Sequence, residues 1–179
     1  MAISEMVLPE FQEEMKNTRK MLALVPLDDP GFKPHPKSMA LQHLASHVAE
    51  LPGYIVSTLT SDRLDMEMAT YVPWRAQNTE ELLAKFDENV AKAKELISGA
   101  SDAEWGKMWT FTYNGQQVFS MPKVAVLRGM AMSHLIHHRG QLSVYLRLKD
   151  VEIPGMYGPS ADEMKFWEAK GSRTGVAKG

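Results

Sequence analysis

The segment HLIHHRGQLSVYLR, residues 134–147, sets the hardest condition on how this chain can fold. At 100° per residue with His134 as origin, His138 falls at about 40°, Leu127 and Tyr145 at about 20°, Met130 and Leu148 at about −40°, and Ala131 at about 60°. The apolar stripe that must face a core therefore carries two histidines in its middle, with His137 at its edge at about −60°. Arg139 and Ser143 lie on the opposite side. The segment HLASH repeats the pattern: Ala40, His43, Leu44, Leu51, Tyr54 and Thr58 all fall within about 60° of His47. The fold must bury imidazoles from two helices, and a buried polar group without a partner costs free energy.

The rest of the chain reads as helices separated by proline and glycine. Met6, Phe11, Met15, Met21 and Leu22 predict a first helix from about Ser4 to Leu24, with Glu13, Glu14, Lys16, Arg19 and Lys20 on its wet face. Prolines at 26, 30, 34 and 36 make an irregular connection. Ser38 is the expected cap of a second helix to about Thr60, kinked at Pro52-Gly53. Loop is expected through Tyr71, Pro73 and Trp74, then a third helix from Thr79, its cap, to Ser98, stopped by Gly99. Asn114-Gly115 between β-branched and aromatic runs predicts a hairpin. Pro122 opens a fourth helix to about Lys149, and a short helix is expected near Asp162–Ala169 before a frayed end, residues 170–179. The expectation is one all-α domain over residues 1–179, core about 5–165: a four-helix bundle with a small β-hairpin insertion between helices three and four. The thirteen methionines read mostly as core filler.

Composition removes several function classes. Lysine plus arginine number 20 against 22 acids, a net charge of −2, which argues against nucleic-acid binding through bulk charge. There is no cysteine, hence no disulfide, thiolate zinc site or cysteine nucleophile. No apolar run approaches the ~20 residues that span a bilayer, and the start MAISEMVLPEFQEE lacks the pattern of a signal peptide. A cytoplasmic protein without membrane or nucleic-acid partners is expected.

Histidines at i and i+4 stand one turn apart on one helix face, so both rings can converge on one ion. A shared divalent metal satisfies several buried imidazoles together, provided they are neutral, and protonation near pH ~6.5 competes with it. The alternative is that each ring finds its own carboxylate or carbonyl; two inward clusters favour the metal. His35, in the proline-rich loop, is outside this pattern, and spacing alone leaves both His43 and His47 as candidates on helix two. Zinc and nickel both suit imidazole ligands. Gln141, at about −20°, either orients a ligand or bonds across the bundle. Arg139 is expected in an ion pair or interface contact. Glu50, a turn from His47, could support the site, and no convincing general base stands out. Tyr54, Trp74, Phe119 and Met121 are candidates for a pocket rim.

The segments FQEEMKNTRKMLALV, KPHPKSMALQHLASHVAELPGYIVSTLTSD and VFSMPKVAVLRGMAMSHLIHHRGQLSVYLRLKDVEIPGMYGPSADE resemble the DinB-like (DinB/YfiT) family of metal-binding four-helix bundles. The resemblance covers residues 5 to 165, and HLIHHRGQLSVYLR is its most specific element. It implies an up-down-down-up bundle, frequently a homodimer, and a three-histidine divalent metal site. Matched residue by residue, the ligands fall on His47, His134 and His138; His43 is not carried over, and His137 is implied to sit beside the site. The resemblance permits a metal-dependent enzyme acting on small thiols, an S-transferase, or a hydrolase. The alternative is a non-catalytic, stress-associated protein stabilised by its metal, which a fourth ligand from His43 would favour. Nothing points to the chemistry of the unrelated DNA polymerase that shares the family's name.

Overall fold

Residues 1–164 are described by a computed structural model. The first helix, α1 (Ile3–Leu22), buries Phe11, Met15, Met21 and Leu22 as their spacing predicts, and Val7 in place of the expected Met6. Glu14, expected on the wet face, is buried beside Thr18, and Met6, expected in the core, is exposed.

Helix α2 (Leu41–Glu50) starts beyond Ser38 and has no side-chain cap. The N–H groups of Leu41 and Gln42 donate instead to the carbonyls of Phe32 and Pro30, at 2.9 and 3.2 Å. The proline-rich loop folds back to do what a capping serine would do. Pro52 then begins α3 (Pro52–Thr60), a position where its missing N–H is harmless. Helix α4 (Thr79–Gly99) is capped by Asn78, whose side chain accepts from the N–H of Glu81 at 2.8 Å. Thr79, the expected cap, donates to the carbonyl of Val25, and Gly99 still belongs to the helix.

The hairpin forms where Asn114-Gly115 places it, between β2 (Met108–Tyr113) and β3 (Gln116–Pro122). Asn114 and Gly115 have φ of 47° and 72°, the left-handed pair that a two-residue turn of this hand requires. It is not an isolated hairpin. β1 (Arg63–Met66), in a stretch read as loop, pairs parallel with β2 and completes a three-stranded sheet in the order β1-β2-β3. A parallel partner needs a long crossover, supplied by α4 and the short α5 (Asp102–Gly106).

The expected fourth helix runs as α6 (Lys123–Val126), a π-helical segment (Leu127–Ser133) and α7 (His134–Leu148). Helix α1 packs on α4 and α7, α2 on the same two, and α3 on α4 and the π-helical segment. Phe11, Leu22, Leu44, Phe86, Leu142 and Leu146 lie in the shared core. The chain is thus mostly helical with a small sheet. Leu148, placed on the inward stripe by its angle, is exposed, although Tyr145 and Leu146 in the same last turn of α7 are buried. Met15, Met21 and Met132 are core residues, but Met1, Met6, Met68, Met108 and Met164 are exposed. Residues 161–164 are helical; the rest of the helix expected near Asp162–Ala169, and the tail 170–179, lie outside the described residues. No described helix is long and apolar enough to cross a membrane.

Candidate metal centre

His47 on α2 meets His134 and His138 on the first turns of α7. The Nε2 atoms of His134 and His138 are 2.9 Å apart, and that of His47 lies 3.3 Å from His134. His138 is buried and the other two are half-buried.

The backbone ahead of α7 decides how His134 is oriented. Its N–H bonds the carbonyl of Ala131, and its ring Nδ1 lies 3.2 Å from the carbonyl of Met130. A carbonyl only accepts, so Nδ1 carries the hydrogen and Nε2 presents a bare lone pair. His138 Nδ1 donates in the same way to Gln141 Oε1 at 2.7 Å. Two lone pairs therefore face each other at 2.9 Å, with His47 alongside. A single ring proton from His47 cannot serve both, whereas one cation can. Nitrogens bound at ~2.0–2.1 Å around a tetrahedral ion stand about 3.3 Å apart, close to the two separations that His134 makes with its neighbours, and all three ligand atoms lie within 4.8 Å of one another. The three residues could hold a metal ion.

Burial pushes the His47 imidazole down to about 3, with repulsion from His138, His134, His43 and Arg75 adding to it. Burial also lowers His134 and His138, against the opposing pull of Met130 and Gln141 respectively. All three rings are held neutral, the form that ligates metal.

The remaining sequence candidates separate clearly. Gln141 holds a ring of the cluster. His43 is half-buried and outside the converging set. His137 is exposed, its ring centroid 4.9 Å from that of His138. Arg139 points away from the cluster into an ion pair, its Nη2 at 2.7 Å from the Glu14 carboxylate. Its Nη1 donates to the Glu14 carbonyl and the Thr18 hydroxyl, and Tyr157 bridges both partners. Glu14 leaves the expected wet face of α1 because α7 is covered on two sides: α2 faces its histidines and α1 faces Arg139.

Beside His47 opens a cleft of about 450 Å³, walled by Glu50, Tyr54 and Ser57, by Leu64, Asp65 and Met66 of β1, and by Glu67, Thr70, Tyr71 and Val72. Of the expected rim residues only Tyr54 lines it. Trp74 packs on the core, while Phe119 and Met121 belong to β3, Phe119 against Trp109 and Phe111. The wall from β1 to Val72 was invisible to sequence reasoning, since a four-residue strand carries no periodic signal; the pairing of Tyr71 with Val72 was the one apolar hint. Glu50 makes no hydrogen bond or ion pair with any described residue, and burial raises its carboxyl against the pull of Arg75 and Lys85.

The DinB family model matches residues 3–172. The chain belongs to the DinB family. Two solved structures share this DinB fold: a DinB-like protein from Bacillus cereus ATCC 10987 and one from Bacillus subtilis. The first has a TM-score of 0.67 at 21% identity, covering 87% of this chain and 98% of that one. The second has a TM-score of 0.64 at 18% identity, covering 84% and 97%. No curated protein matches the chain.

Proposed function

We propose that this DinB-family chain is a divalent-metal protein with an open three-histidine centre, His47, His134 and His138, that acts as a thiol S-transferase or hydrolase on a small molecule. The observation that carries the reading is the convergence of three imidazoles, the Nε2 atoms of His134 and His138 2.9 Å apart and that of His47 3.3 Å from His134, an arrangement that one cation satisfies. A bound divalent ion supplies Lewis acidity and lowers the pKa of a group that binds to it. The protein's part is to hold three neutral imidazoles, with Met130 and Gln141 fixing two of them, and to offer a cleft at His47 for the substrate.

No fourth histidine or carboxylate joins the three among the described residues, which favours an open, reactive site over the metal-stabilised, non-catalytic alternative. Zinc or nickel is the expected ion. In the same reading the helices form an up-down-down-up four-helix bundle as a single cytoplasmic domain, and two copies form a homodimer. Metal analysis of protein purified without a nickel column tests the centre, and a screen of small thiols and esters with that protein tests the activity. Preparations that hold no stoichiometric divalent ion, even after incubation with zinc, would overturn the proposal. A monomer mass by light scattering at micromolar concentration would remove the dimer alone.

A further inference from the structure

The cleft has a volume of about 450 Å³, many times the roughly 30 Å³ that a water occupies. Leu64, Met66, Val72 and the two tyrosines give it apolar wall, so it suits a small organic molecule. Any such molecule that approaches His47 to react as a nucleophile must first lose a proton, and the walls contain few groups able to take it. Asp65 is exposed and already accepts from Arg63 and the Thr112 hydroxyl. Glu67 is exposed. Tyr54 and Tyr71 are raised by burial and stay protonated, so they donate. His47 is turned toward the other two rings. Glu50 remains: half-buried, one helical turn from His47, lining the same cleft and without a partner among the described residues.

We propose that Glu50 is the proton acceptor of this site, taking the proton of a neutral small thiol held in the cleft beside His47. The S–H bond breaks, the proton passes to a carboxylate oxygen of Glu50, and the electron pair stays on sulfur as the nucleophile. The proposal rests on the reading of the histidine cluster as a metal centre, and it assigns the base that the sequence does not reveal. The groups around Glu50 are His47 on its own helix, Tyr54 of α3, Asp65 and Glu67 on the β1 side, Tyr71 and Arg75 of the following connection, and Lys85 of α4. Arg75 donates to the carbonyl of Trp74, and no residue of the cleft wall is a lysine or arginine.

Cobalt-substituted protein and 2-mercaptoethanol as the probe test this by stopped-flow absorbance, following the thiolate-to-cobalt band. With Glu50 present, the band should form at a rate nearly independent of pH around neutrality. Glu50→Gln should still bind cobalt stoichiometrically but form the band on the order of a hundredfold more slowly. Its rate should then rise about tenfold per pH unit, tracking the thiolate already in solution. Asp65→Asn, in the same cleft, should behave as the unaltered protein. Equal rates or equal pH profiles for Glu50→Gln and the unaltered protein overturn the role of Glu50, and so does the absence of any thiolate band. Failure of the unaltered protein to bind cobalt overturns the centre itself, a result visible before any thiol is added.

Discussion

His138 gives its Nδ1 proton to Gln141 Oε1 at 2.7 Å, and this hydrogen bond turns the bare Nε2 of His138 toward His134. Removing it with Gln141→Leu leaves the ring without its orienting partner. Zinc affinity should fall by about 10–100-fold, the usual effect of losing a group that positions a ligand. His134→Ala and His138→Ala should abolish stoichiometric binding, while His137→Ala should leave most of it. Calorimetric titration of zinc into the four variants checks the order, and equal losses at His137 and His138 would contradict the geometry.

Helix α2 offers a second discrimination. His47 lies with the α7 histidines and His43 does not. His47→Ala should therefore remove the metal, and His43→Ala should leave it bound and open to added ligands. Loss of affinity in both variants would point to a closed, four-ligand site and to a structural metal.

The depressed imidazoles make stability depend on pH. His47 titrates at about 3 in the folded chain, against about 6.5 when unfolded. As pH falls below the unfolded value, the unfolded chain binds protons that the folded chain refuses. Stability from this ring is complete above about 6.5 and is lost toward 3, by up to about 1.4 kcal/mol per pH unit. His134 and His138 act in the same direction. The melting temperature of metal-free protein should drop on acidification from pH ~7 to ~5, and His47→Gln should flatten that drop.

The same shift revises what the sequence implied about metal and pH. Free imidazoles would each cost about tenfold in zinc affinity at pH ~5.5, whereas His47 in the fold is still unprotonated there. Zinc affinity of the folded protein should decline by far less than the roughly thousandfold expected for three free rings. A decline of that full size in a competition titration would show that the rings are not held neutral.

Arg139 and Glu14 form a pair whose side chains are only 2% and 10% exposed. Breaking one half of such a pair strands a buried charge, so Arg139→Met or Glu14→Leu alone should cost about 3–5 kcal/mol in urea unfolding. The double variant Glu14→Leu/Arg139→Met should cost less than either. Zinc stoichiometry should persist in each variant that folds, because the pair lies on the other side of α7 from the histidines. Additive losses in the double variant would mean that the two residues act separately.

What the sequence determined by itself lies in local patterns. Helical spacing placed His134 and His138 inside the apolar stripe of α7, Asn114-Gly115 specified the hairpin through its left-handed backbone, and Pro52 divided α2 from α3. Each depends on residues within a turn or two of one another. Tertiary structure decided the features that depend on distant neighbours. The strand β1 exists because β2 offers it a parallel edge, Glu14 is buried because Arg139 arrives from α7, and carbonyls of the proline-rich loop replace the cap expected at Ser38. The choice between His43 and His47 is of this second kind. Both face inward by spacing, and only the crossing of α2 over α7 brings one of them to the other two rings. A helical period fixes direction around an axis but carries no information about which partner waits there.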